Sequence, residues 1–159
     1  MNMKKQRTAW GVGPKFFSLS VIFSTPVVII AYLTHPKFVI STDYSLPFQI
    51  AGATLAFSGF IFYIVSVRTM VKAFKQNRLI TTGVFGVCRN PIYGSWMIAM
   101  IPGIALFLRM PLLLLIPVIM YIIFRLVIES EERVLSEIFG DEYKKYRASV
   151  NAVFPTIHC

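Results

Sequence analysis

The sequence predicts an all-α integral membrane protein, a helical bundle of about four transmembrane helices with a cytosolic C-terminal helical tail. The chain is 56% hydrophobic with a mean hydropathy of +0.67, too apolar for a soluble domain. Its apolar residues fall into four runs, each near the roughly 20 residues that a helix needs to cross a bilayer. Its basic residues sit in the short segments that flank those runs. At 159 residues there is room for one membrane domain, so 1–159 is read as a single unit.

The first run is Phe16 to Thr34, with Pro26 inside it. Proline removes one helix hydrogen bond, and a kink is expected there. Lys4, Lys5 and Arg7 before it resemble a signal peptide. The run is long and lacks a small-residue cleavage site, so it is read as a retained span. The second run is Phe48 to Val67, where Gly52, Ala53, Ala56, Ser58 and Gly59 offer small surfaces for close helix contact. Beyond it, Val67, Met70, Val71, Phe74 and Leu79 alternate with Lys72, Lys75 and Gln76. That pattern predicts an amphipathic continuation along the headgroups.

The third run is Ile92 to Leu108 and the fourth Leu112 to Ile128. Only Arg109-Met110-Pro111 separate them, which forces an antiparallel hairpin. Pro102, Gly103 and Pro117 predict bends in these two spans. The tail from Glu129 to Ala148 reads as helix broken near Gly140, with Asp141 as N-cap of the last piece.

Lys4, Lys5, Arg7 and Lys15, then Arg68, Lys72, Lys75, Arg78 and Arg89, then Arg133, Lys144, Lys145 and Arg147 fall on one side. Only Lys37 and Arg109 fall on the other. Both termini are therefore predicted to be cytosolic. The formal net charge of +9 is explained by this topology and by contact with membrane lipids, not by nucleic acid. Cys88 and Cys159 both lie in predicted cytosolic segments, where a disulfide is not expected. His35 and His158 have no ligand-spaced partners, so neither a metal site nor a serine-hydrolase triad is indicated.

A hairpin returns its ends to one membrane face, so the polar blocks before and after it should meet. The first block runs from Thr81 to Tyr93. Gly83 and Gly86 allow close backbone approach. Asn90-Pro91 gives an N-cap followed by proline at the first helical position, and Asn90 could also present neighbouring N–H groups to a ligand. Phe85 and Tyr93 either stack on a planar ring or belong to the interfacial aromatic belt. The second block begins at the membrane edge with Glu131-Glu132, in a chain of only seven acids. A carboxylate there suits a ribose diol or a cation. Arg125, Glu129 and Glu132 fall on one helix face. Arg125 either snorkels and pairs with Glu129 or clamps an anionic substrate.

The ordered set Gly83-Val84-Phe85, Arg89-Asn90-Pro91-Ile92-Tyr93-Gly94, a hairpin, Glu131-Glu132-x-x-Leu135-x-x-x-Phe139-Gly140-x-x-Tyr143-x-x-Tyr146 and Phe154-Pro155 resembles the isoprenylcysteine carboxyl methyltransferase family. Phospholipid N-methyltransferases are wider relatives. The resemblance covers 79–155. It implies an integral membrane methyltransferase with S-adenosylmethionine as methyl donor, bound at the cytosolic mouth of the hairpin. Carried over, Gly83, Val84, Phe85, Arg89, Asn90 and Tyr93 would line one wall of the donor pocket, and Glu131, Glu132 and Leu135 the other. Arg125, with Glu129 beside it, would face the acceptor.

Two departures matter. The usual Arg-His-Pro reads Arg89-Asn90-Pro91, and the usual Gly-Pro-Tyr reads Gly83-Val84-Phe85. An asparagine amide donates and accepts but does not titrate near neutral pH, so a hydrogen-bonding role remains and a proton shuttle does not. Methyl transfer from a sulfonium needs positioning and exclusion of water more than a dedicated base. The expected acceptor is a lipophilic molecule arriving from the bilayer: a prenylcysteine carboxylate, a lipid amine or a small thiol. Competing classes are a non-enzymatic membrane module and an intramembrane reductase using a nicotinamide cofactor.

Overall fold

The computed structural model describes residues 11–35 and 45–156. The N-terminal Lys4, Lys5 and Arg7, together with Lys37, His158 and Cys159, lie outside the described residues. Four helical segments are long and apolar enough to cross a membrane: Gly13–Thr34, Leu46–Lys75, Pro91–Leu108 and Pro111–Ser149. No strand occurs among the described residues. The all-α membrane bundle predicted from the sequence is the observed fold.

Helix α1 (Gly13–Thr34) starts with Pro14 in its first turn, where a missing N–H costs nothing. It buries one stripe, Phe16, Ser20, Ser24 and Ala31, and leaves Ile22, Ile29 and Leu33 outward. Helix α2 (Ser45–Lys75) is one unbroken rod of 31 residues. At 1.5 Å per residue that is roughly 45 Å, well beyond the hydrocarbon thickness of about 30 Å. The amphipathic stretch predicted to continue the second helix does continue it without a break. It ends at Lys75, and Asn77 at φ +51° turns the chain.

After a four-residue helix α3 (Val84–Val87), the third span comprises α4 (Pro91–Gly94), a π-helical stretch (Ser95–Met100) and α5 (Ile101–Leu108). The π stretch lies just before Pro102, whose ring would collide with the carbonyl four residues back, that of Ile98. Widening the turn lets the Ile101 N–H reach the Trp96 carbonyl. Arg109 in the left-handed region and a 3₁₀ turn (Pro111–Leu114) close the hairpin. Helix α6 (Leu115–Ser149) follows. Pro117 falls in its first turn, where the backbone dihedrals stay helical. The helix breaks at Gly140, at φ +53° and ψ −127°, the position expected from the sequence.

The hairpin forms the middle of the bundle, with α2 packed on the third span and α1 on α6. The small residues of α2 bring backbones into contact: a Cβ on Gly103 would stand 2.5 Å from the Ala56 nitrogen. One on Gly59 would stand 2.6 Å from the Ala99 Cβ. Between α1 and α6 the core is larger and aromatic. Phe16 and Phe124 are fully buried, and Tyr93 lies between them with ring centroids at 4.7 and 5.6 Å.

Candidate active site

The two polar blocks do meet, at the end of the bundle where the hairpin opens. The first is held by the tail. The Tyr146 hydroxyl donates to the Phe85 carbonyl at 2.6 Å. The Arg89 N–H donates to the Asn151 carbonyl at 2.8 Å, and the Thr156 N–H to the Val87 carbonyl at 2.8 Å. Asn90 occupies the N-cap position of α4, but its side chain makes no capping bond. Its backbone N–H and its side-chain amide both donate to the Ala152 carbonyl, each at 3.0 Å. The asparagine therefore ties the loop to the C-terminal segment, a contact between residues 62 apart in sequence.

Adjacent Glu131 and Glu132 have different surroundings. Glu132 is buried and takes two arginines, Arg89 Nη1 at 2.7 Å and Arg147 Nη2 at 3.2 Å. Both of its oxygens are engaged with protein, each at ion-pair distance from a guanidinium group. Glu131 has no ion pair among the described residues. It accepts one hydrogen bond, from the Val12 N–H at 3.3 Å. Among the described residues, Glu132 is therefore the carboxylate engaged by charge and Glu131 the one held by a single backbone N–H.

Between the blocks lies a cavity of about 510 Å³. Phe85, Arg89, Asn90, Tyr93, Glu131, Glu132 and Leu135 line it. Among the described residues, the buried Arg89 Nε has no hydrogen-bond partner, and Nη1, though 2.7 Å from Glu132 Oε1, is not aligned for a hydrogen bond. An unsatisfied buried donor costs about 1–3 kcal/mol, which a ligand oxygen would recover. Gly83 and Val84 are not in the lining; Gly83, at φ +63°, sets the turn that presents Phe85. Leu135 packs with Leu79 and Phe139 on a buried cluster of Tyr143, Tyr146 and Val150.

Arg125 and Glu129 are not brought to the cavity. Both are exposed, and no ion pair joins them among the described residues. The reason is helix geometry. The inward face of α6 carries Phe124, Val127, Ile128 and Glu131, three or four residues apart. Arg125 is about 100° away from Phe124. Glu132 shares Arg125's side of the helix but lies two turns on, where the tail beyond Gly140 folds over it.

The lining also contains residues that no sequence signal marked as functional. Gly11, Val12, Gly13 and Phe17 come from the start of α1, and Tyr63, Met70, Phe74 and Arg78 from α2 and its end. The amphipathic spacing of Met70 and Phe74 was visible, but its apolar side faces this cavity. Cys88 is buried nearby and free. Burial pushes its thiol up to about 11, against a smaller opposing pull from the Asn90 backbone, so it is not a thiolate nucleophile at neutral pH.

An all-helical bundle with four segments long and apolar enough to span a membrane, and a partly polar cavity at one end, defines an integral membrane protein. The phospholipid methyltransferase family profile matches residues 44–142, more than half of the chain. The chain belongs to that family of membrane methyltransferases, the wider group to which its motifs pointed. No curated protein and no solved structure matches it.

Proposed function

We propose that the protein transfers a methyl group from S-adenosylmethionine to a lipophilic acceptor that reaches the cavity from the bilayer. The observation that carries this reading is the two-sided lining of one cavity. Arg89, Asn90 and Glu131 supply a polar side, and Phe17, Met70, Phe74 and Ile128 an apolar one. Its volume of about 510 Å³ lies within the range of about 300–1,000 Å³ usual for small-molecule and cofactor sites.

The residues present fit the donor. The orphaned Arg89 Nε suits a carboxylate oxygen, and the singly bonded Glu131 suits hydroxyls or an ammonium. When bound, S-adenosylmethionine supplies a methyl group activated by its positively charged sulfur. Glu131 favours positive charge in a partly dry cavity. Tyr93, wedged between Phe16 and Phe124, is a fixed aromatic wall. Phe17, Met70 and Phe74 exclude water from the apolar side. The positive-inside count favours a cytosolic mouth.

No histidine lines the cavity among the described residues. An acceptor that is already ionised, such as a prenylcysteine carboxylate, needs no base and fits that lining. Arg78 on the rim makes no ion pair among the described residues and offers a counter-charge. A phospholipid amine is the second reading, favoured by the family match.

Calorimetric titration of the detergent-purified protein with S-adenosylhomocysteine tests the donor: saturable binding is expected, and none in a folded sample would sink the proposal. Binding of NADPH instead would favour a reductase. Radiolabelled methyl transfer to a prenylated cysteine, to phosphatidylethanolamine vesicles and to a hydrophobic thiol then separates the acceptors. Label in the vesicles alone would select the lipid amine.

A further inference from the structure

The family match begins at residue 44, yet the single hydrogen bond to Glu131 among the described residues comes from residue 12. The start of α1 lies across this carboxylate with bare backbone. Gly11 adopts φ +47°, in the left-handed region that favours glycine. A Cβ there would stand 2.6 Å from Glu131 Oε1, 2.7 Å from Cδ and 2.8 Å from Oε2. The backbone conformation favours glycine, and an added Cβ would displace the Glu131 carboxylate from its place. Val12, just before the first residue of α1, donates its N–H to Oε2 at 3.3 Å. N–H groups at a helix start have no partner within the helix, and the helix dipole there favours a carboxylate.

The segment is also anchored. Phe16, one turn further on, is fully buried against Tyr93 at 4.7 Å. Gly13 passes close to the Tyr93 hydroxyl, with its Cβ position 3.6 Å away. Gly11, Val12, Gly13, Tyr93 and Glu131 all border the same cavity.

We propose that Gly11 and Val12 are positioning residues: their backbone at the start of α1 fixes the Glu131 carboxylate in the cavity wall in the orientation that meets the methyl donor. This rests on the reading of the cavity as the donor site. It makes the first span, outside the matched region, part of the site in this chain. Glu132 is oriented by two arginines; Glu131, without an ion pair among the described residues, is oriented by a backbone whose conformation favours glycine.

The test is a double-mutant cycle read by S-adenosylhomocysteine binding to the full-length protein in detergent. Gly11→Ala should weaken binding tenfold or more. In a Glu131→Ala background, where the carboxylate is gone, the same change should alter binding less than twofold. Equal loss in both backgrounds would mean backbone strain alone and would overturn the proposal. So would wild-type affinity in Gly11→Ala.

Amide hydrogen exchange over residues 11–13 supplies a readout that does not need the Gly11 variant to fold. Exchange at Val12 should be slow in the wild type and at least tenfold faster in Glu131→Ala; equal rates would overturn the proposal. A wild type that fails to bind S-adenosylhomocysteine overturns the methyltransferase reading and this one together. A binding wild type with an indifferent Gly11→Ala overturns this one alone.

Discussion

The seam between α2 and the third span and the polar mouth at the end of the bundle are held together by opposite means. In the seam, backbones touch because Gly52, Gly59 and Gly103 carry no side chain. Lipid tails are as apolar as the helices, so close van der Waals packing is the main attraction available there. At the mouth, contact depends on polar pairs between distant residues: Asn90 with Ala152, Tyr146 with Phe85, and Glu132 with Arg89 and Arg147. One region cannot take an added atom; the other cannot lose a partner.

Substitutions can break either half of that contrast. The largest effect is expected of Gly103→Leu, since a Cβ there would meet the backbone of Ala56 and no side-chain rotation relieves it. Overpacking usually costs about 1–3 kcal/mol and sometimes more. Against rigid backbone we expect no folded protein to be recovered, and a normal yield and melting curve would refute the seam. Next comes Glu132→Ala, which leaves Arg89 buried and unpaired. Breaking a buried pair costs about 3–5 kcal/mol, so a sharply lowered melting temperature with loss of donor binding is expected. Unchanged melting would mean that the ion pairs do not hold the mouth.

Glu131→Gln should separate binding from folding. Donor affinity should fall tenfold or more, about 1.4 kcal/mol, while the melting temperature stays close to wild type. Equal damage to both would erase the distinction between the two carboxylates. Tyr146→Phe removes one donor from the Phe85 carbonyl and should cost about 1 kcal/mol, measured by thermal unfolding. Arg125→Ala should be the mildest. It is exposed and away from the cavity, so stability should move by less than about 0.5 kcal/mol and donor affinity and turnover by less than twofold. A selective loss of acceptor turnover would restore the anion clamp suggested by the motif order.

These outcomes also divide what could be read from the chain. The spans were legible because hydropathy is a local property: the helical run from Gly13 to Thr34 is visible without knowing its neighbours. The glycine seam was legible because small residues in a span have few other uses. The convergence of the two polar blocks followed from the short Arg109-Met110-Pro111 connection. The inward side of α6 was not legible at its lower end. Arg125 and Glu132 look equivalent on a helical wheel, and only the tail folding back at Gly140 distinguishes them.

The sequence by itself determined that this is a four-span helical membrane protein with its polar blocks gathered at one end. Those features depend on composition, periodicity and loop length, which act along the chain. Tertiary structure alone decided which glutamate pairs with arginines among the described residues and which takes a backbone N–H, and it brought Val12, 119 residues away, and its neighbour Gly11 onto Glu131. Neither residue brings side-chain chemistry to that contact. Its specificity comes from a backbone N–H and a missing Cβ, which acquire meaning only when another part of the chain is packed against them.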